Sequence, residues 1–217
     1  MAGVVEPLEF ADDDEHEAAR EVFGAALPAA GAYAALLAEQ GVAWGLLGPR
    51  EVDRLWSRHL INSAALAPLV PTAVEVLDIG SGAGLPGIPL RLVRPDLHIT
   101  LVEPLQRRIR FLQLCCEQLQ LPDVAVRAVR AEQLPPECAD VVTARAVAPL
   151  QRLLPVVWPL VRPGGQFLAI KGRRAEEELA RCRALPGDLR MPPDVVRRST
   201  AQCTPLVTVV RFRRKAR

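Results

Sequence analysis

The rhythm of hydrophobic positions changes near residue 74. Upstream, His16–Glu39 and Arg50–Leu69 carry apolar residues at patchy helical spacing and predict two helices, joined by a turn at Gly41–Pro49. From Val74 onward, short branched apolar runs alternate with longer amphipathic stretches. Strands are predicted at Val74–Ile79, His98–Glu103, Val124–Val129, Asp140–Thr143, Gln166–Ile170, Val195–Thr200 and Leu206–Phe212. Helices are predicted at Leu85–Val93, Gln106–Leu119, Leu150–Val161 and Ala175–Cys182. Runs with so little polar alternation suit a parallel sheet covered on both faces, and strand–helix alternation supplies the right-handed crossovers such a sheet needs. Only Ala201–Pro205 separates the last two strands, too little for a crossover helix, so the final strand must run antiparallel to its neighbour. The pattern predicts an α/β domain over residues 71–217, preceded by a helical extension over residues 1–70 that packs on it.

One junction carries more chemistry than the rest. The run Val74–Ile79 stops at Gly80-Ser81-Gly82-Ala83-Gly84, where alternate glycines let the backbone turn sharply and a ligand lie against it. Pro86 and Pro89 follow, both tolerable in a first helical turn. Strand, glycine turn and helix make the first half of a nucleotide-binding βαβ unit. Gly82–Gly87 matches the dinucleotide fingerprint formally, but that fingerprint needs its first glycine directly after the strand, where Gly80 stands. Asp78, two residues before Gly80, suits a cationic ligand portion and repels a pyrophosphate. S-adenosylmethionine, with its amino group and sulfonium, has that property. Glu103 ends the next strand about twenty residues on, placed to accept ribose hydroxyls, as an acid also does in NAD sites. Gly82 and Gly84 complete the cofactor contacts read from the residues themselves.

Asp78–Leu90, DIGSGAGLPGIPL, resembles the glycine motif of the bacterial small-subunit ribosomal RNA guanine-N7 methyltransferases, the glucose-inhibited division protein B or RsmG family. The resemblance extends to Arg58-His59-Leu60-Ile61-Asn62-Ser63, to Glu103–Leu112, to Arg130-Ala131-Glu132, to Thr143–Ala146 and to Ala169–Gly172, spanning roughly residues 48–175. The chain departs from the family at Gly45-Leu46-Leu47, where Asn-Leu-Thr is common. The resemblance implies a class I S-adenosylmethionine-dependent methyltransferase fold: a Rossmann-like seven-stranded sheet with its last strand antiparallel. It implies S-adenosyl-L-methionine as cofactor and 16S ribosomal RNA, or the small ribosomal subunit, as partner. It places cofactor contacts on Gly80, Leu85, the Ala131-Glu132 pair and Arg145.

Methyl transfer to guanine N7 needs no general base, because N7 already presents a lone pair, and proximity and orientation can carry the reaction. Arg145, just past the fourth predicted strand, is expected to reach both cofactor and guanosine, donating to guanine O6 or stacking on its plane. Arg58, Arg107, Arg108, Arg110, Arg130 and Lys171 are candidates for RNA phosphate contacts, each individually also explicable as a solvated cation. His59 either faces the substrate or caps its helix; Trp44 and Trp56 either stack a base or fill the core.

Composition changes this picture little. A net charge of +2 decides nothing, but the acids gather at Asp12–Glu21 and the arginines at Arg190–Arg217, an asymmetry that suits a nucleic-acid face or a solvated tail. Five cysteines, odd in number and without metal-ligand spacing, read as free thiols, and no metal site is expected. The start is acidic, not a signal peptide, and Ala25–Ala38 is short and broken by Pro28 and Gly31, so a cytoplasmic protein without a membrane span is expected, acting as a monomer. Three other readings remain open: a nicotinamide-dependent oxidoreductase using the same glycine turn, a non-catalytic ribosome assembly factor, and a small-molecule methyltransferase.

Overall fold

The structure is a computed structural model and describes residues 10–182, 185–199 and 206–217. Its acidic start is a helix cap. Asp12 accepts the Glu15 N–H, Glu15 reaches back to the Ala11 N–H, and α1 (Asp13–Phe23) opens on three acids that face its positive end. The expected single helix His16–Glu39 is two. Gly24, at φ +48°, ends α1, and α2 (Leu27–Leu36) restarts with Pro28 in its first turn and winds on through wider turns over Leu37–Gly41. The second expected helix is likewise subdivided, into tight turns over Pro49–Arg54, wide turns over Leu55–Ile61 and the short α3 (Asn62–Ala64).

Seven strands form one sheet: β1 (Glu75–Ile79), β2 (His98–Val102), β3 (Ala125–Arg127), β4 (Ala139–Arg145), β5 (Val161–Lys171), β6 (Asp194–Arg198) and β7 (Val207–Arg213). Their order is β3-β2-β1-β4-β5-β7-β6, parallel from β3 to β5. β7 lies antiparallel between β5 and β6, as the short final connection requires; the Ala201–Pro205 connection itself lies outside the described residues, as does Thr200. Some strand bounds differ from expectation. β3 keeps only the centre of Val124–Val129, β4 continues to Arg145, and β5 begins at Val161, where the helix expected there ends.

Helices α4 (Gly87–Val93), α5 (Gln106–Gln118), α6 (Leu150–Val157) and α7 (Ala175–Ala180) complete the layers. Side-chain alternation splits β1 cleanly. Val76 joins one apolar core with α1, α2, α4 and α5, while Leu77 and Ile79 join a second under α6. The extension therefore shares the first core with the sheet. Arg94 at the end of α4 strengthens the join by donating to the carbonyls of Ala67, Val70 and Pro71 while pairing with Asp96. By length and composition the helical run Asp13–Gly41 is apolar enough to cross a membrane, which corrects the reading of a short, broken segment. Its Ala19, Phe23, Ala30, Tyr33, Ala34 and Leu37 are buried within this protein's own core.

The basic C-terminal end is largely paired. Arg211 and Arg213 grip Asp194, Arg214 grips Asp188 and Glu137, and Arg217 also meets Glu137. These arginines close the β6–β7 edge, so the charge asymmetry does not amount to a face of unpartnered cations there.

Candidate active site

The sheet order reverses between β1 and β4, and ligands of open α/β sheets bind beyond the carboxyl ends of the strands at such a switch point. The glycine turn stands there. Gly80, Gly82 and Gly84 all hold φ between +59° and +97°, a region side chains avoid, and a Cβ on Gly80 would lie 2.7 Å from Val147 Cγ2. Ser81, buried, donates through Oγ to the Asp78 carbonyl and accepts the Val102 N–H, riveting the turn to β2.

Asp78 takes a different place from the one its charge suggested. It is wholly buried on the core side of the turn, accepting the Gly87 N–H on Oδ2 (3.1 Å) and the Thr143 hydroxyl on Oδ1 (3.2 Å). It organises the turn and the start of α4 instead of facing a ligand directly, and burial pushes its carboxyl up to about 6. α4 starts two residues later than the Leu85 expected, and the bond from Asp78 takes up the free N–H of its first residue, Gly87. Glu103, just beyond β2, accepts Gly82 N–H on Oε2 and Leu105 N–H on Oε1, with Arg108 at 3.3 Å. Oε1, with the single donor Leu105, keeps acceptor capacity for a further hydroxyl.

Two cavities open at the switch point and share Val147 and Ala148. One, about 240 Å³, is mainly apolar and is lined by Gly80, Val102, Pro104, Val129, Val156 and, at its rim, Arg130, Ala131 and Glu132. Leu85, partly buried in the turn, lies outside that lining. The slot, the glycine turn and the acid at the end of β2 fit S-adenosylmethionine: an adenine needs an apolar slot, and its ribose an acceptor beside it. The other cavity, about 560 Å³, is lined by Arg58, Asn62, Arg145, Ala146, Ile170, Lys171 and Glu178 among others.

The cations expected to serve RNA divide into two groups. Arg107, Arg110 and Arg130 are exposed. Lys171 is nearly buried, donating to the Ala148 carbonyl (2.6 Å) and pairing with Glu178 (3.0 Å), so it holds the loop after β4 to α7 and is not available for phosphate. Arg58 pairs with Glu51 and Arg108 with Glu103, each half-exposed.

Arg145, which lines the larger cavity, is held from the side of the extension. Its guanidinium points into the extension, donating to the carbonyls of Arg58 (3.0 Å) and His59 (3.1 Å), the Ser63 hydroxyl (2.9 Å) and His59 Nδ1 (2.8 Å). His59, buried, must therefore carry its proton on Nε2 and donate it to Glu51 (2.8 Å). Burial, then the Arg145 charge, pushes the imidazole below its ordinary value, while the bond from His59 lowers Glu51. Burial also lowers Arg145, to about 10, leaving it charged at neutral pH. Glu51, His59 and Arg145 form one relay that fastens the extension to the end of β4 at the wall of the larger cavity. Trp56 packs against Phe10 and Phe23, and Trp44 meets Phe111 edge-on, so both serve packing.

Sequence reasoning gave no role to Ser63, Ser81, Thr143 or Tyr33, whose hydroxyls hold this site together. The first three lie inside the recognised motifs but carry no signal of their own. Among the described residues no group of His, Cys, Asp and Glu is placed to hold a metal ion, and no disulfide forms; Cys203 lies outside them.

Strand order, inserted antiparallel strand and glycine turn together define a class I methyltransferase. Solved structures share this fold: a putative S-adenosylmethionine-dependent methyltransferase from Methanococcus maripaludis (TM-score 0.57, 12% identity, covering 85% of this chain and 94% of that one) and an O-methyltransferase from Thermotoga maritima (0.54, 14%, 72% and 65%). The family profile described as GidB, rRNA small subunit methyltransferase G, matches residues 27–192, and the chain belongs to that family. It is similar to proteins named ribosomal RNA small subunit methyltransferase G from Thermobifida fusca (52% identical over 197 residues, 90% of this chain and 83% of that protein) and Mycolicibacterium smegmatis (52% over 205 residues, 92% and 87%).

Proposed function

We propose that this enzyme transfers a methyl group from S-adenosylmethionine to N7 of a guanosine in the RNA of the small ribosomal subunit. The observation that carries the reading is the pair of unlike cavities meeting at Val147–Ala148 on the sheet's switch point, in a chain of this family. The cofactor supplies an electrophilic methyl on its sulfonium; the chain's task is to hold donor and acceptor at one fixed separation, which alone can lower the barrier substantially. The apolar slot, with Gly80, Ala131 and Glu132, would hold the adenine end, and Glu103 and Gly82 the ribose. The larger cavity, walled by Arg58 and Asn62, would receive the target base. Exposed Arg107 and Arg130 would meet phosphates. In A-form RNA the deep major groove hides N7, so the target guanosine must stand outside a regular helix. The enzyme is taken to work as a cytoplasmic monomer, with residues 1–70 as an extension packed on the methyltransferase core of residues 71–217.

Labelled methyl transfer to intact small subunits, protein-free small-subunit RNA and a short guanosine oligomer, over a salt series, is the test. Transfer to the large substrates that weakens steeply with salt is expected. Equal, salt-insensitive transfer to the oligomer would contradict recognition of folded RNA. NAD binding without S-adenosylmethionine binding would restore the oxidoreductase reading, which the register of Gly80 opposes.

A further inference from the structure

Tyr33 is the single tyrosine of the chain and sits in α2, inside the extension, far in sequence from any cofactor motif. Its ring is fully buried, and its hydroxyl donates to the Ala83 carbonyl in the glycine turn at 2.7 Å. A buried hydroxyl without a partner is costly, and phenylalanine would fill the same apolar space, so packing alone does not account for the oxygen. Residues flanking Tyr33 in α2 are small (Ala29, Ala30, Gly31, Ala32, Ala34, Ala35), which lets the helix approach the turn closely. Gly84 completes the fit: a Cβ there would stand 3.0 Å from the tyrosine oxygen.

The bond fixes one particular peptide group. The Ala83 carbonyl is held by Tyr33, and the N–H at the other end of the same peptide, on Gly84, is held by the Ser81 carbonyl at 2.7 Å. Both ends of that plane are locked, one from the extension and one from within the turn. Rotation of this plane would change ψ of Ala83 and φ of Gly84, and so carry Gly84, at φ +97°, out of the conformation that shapes the end of the turn.

We infer that Tyr33 is a positioning residue for the cofactor: its hydroxyl sets the glycine turn, so that the extension, besides its link to β4, helps to build the cofactor site. The inference rests on the proposal that this turn holds S-adenosylmethionine, and it places no contact between Tyr33 and the cofactor.

The test uses the full chain and S-adenosylhomocysteine as probe. Tyr33→Phe removes one oxygen and keeps the ring, and calorimetry should show about 10-fold weaker binding, the size of one buried hydrogen bond transmitted to a ligand site. In turnover, KM for S-adenosylmethionine should rise with kcat nearly unchanged. Because the chain has one tyrosine, 3-fluorotyrosine gives one fluorine resonance, which should shift on addition of S-adenosylhomocysteine to otherwise unaltered protein. That measurement stands even if the variant folds poorly. Wild-type binding with an unmoved resonance, and a Tyr33→Phe protein that melts lower yet binds equally well, would reduce Tyr33 to a structural role and overturn the inference. A wild-type protein that binds neither compound would overturn the cofactor reading as well, and so separates the two failures.

Discussion

Arg145→Met is the perturbation that distinguishes most sharply between the residue's expected role and its observed place. Methionine keeps an unbranched stem of similar reach and removes only the guanidinium. Four contacts vanish: to the carbonyls of Arg58 and His59, to Ser63 Oγ and to His59 Nδ1. A hydrogen bond from a charged donor contributes about 1.5–3 kcal/mol, and such bonds within one network are not additive, so a loss of roughly 2–5 kcal/mol is expected. In a chain of this size each kcal/mol moves the melting temperature by about 2–4 °C, which puts the drop at about 4–20 °C. Thermal melts give that number. Hydrogen exchange should accelerate at Arg58–Ser63, where the acceptors lose their partner, and leave β2 and β3 protected. Binding of S-adenosylhomocysteine at a temperature where the variant is folded should fall little. An unchanged melting temperature with abolished turnover would refute the clasp and return Arg145 to a direct part in binding substrate or cofactor.

Asp78→Asn should alter the pH dependence of stability. The folded-state carboxyl titrates at about 6 against an ordinary 3.8, so its favourable term is fully present below about 3.8 and is lost as pH rises through 6, a change of roughly 3 kcal/mol. The difference in unfolding free energy between wild type and variant should follow that curve, and a difference flat from pH 3.5 to 7 would show that Asp78 is not strained by burial. Gly82→Val places a branched side chain at φ +59° in the turn and should abolish calorimetric binding of S-adenosylmethionine; equal binding would move the cofactor site elsewhere. Lys171→Met should lower stability by about 1–3 kcal/mol, because the Ala148 carbonyl and Glu178 lose their partner, yet leave the salt dependence of RNA binding unchanged. Arg130→Ala should do the reverse, reducing the salt slope by about 1 without lowering the melting temperature; the opposite assignment in either variant would contradict the division of the cations.

Local chemistry made the core of the fold legible. A run with four branched apolar residues, Val74, Val76, Leu77 and Ile79, ending in Gly80-Ser81-Gly82 can hardly be anything but a buried strand and a sharp turn, and the short link before β7 fixes its direction. The break at Gly24 was less visible, because apolar residues continue on both sides of it and only the backbone shows the left-handed turn. The site was half legible. Glycines announce themselves because their backbone does the work, whereas Arg145, Lys171 and Asp78 have chemistry that depends on what the tertiary fold sets opposite them. An arginine at a strand end reads alike whether it faces a ligand or four acceptors of a neighbouring helix. Tyr33 left no trace at all, since nothing in an alanine-rich helix tells that its hydroxyl will meet a carbonyl fifty residues away.

The central claim is the position of the methyl group, and N7-methylguanosine carries its own chemical signature. Small-subunit RNA treated with this protein and S-adenosylmethionine, reduced with borohydride and cleaved with aniline, should break at one guanosine, with mass spectrometry assigning one added methyl to the corresponding nucleoside. No break and no added mass in the presence of bound cofactor, or a methyl mapped to a ribose or to another base, would contradict the account.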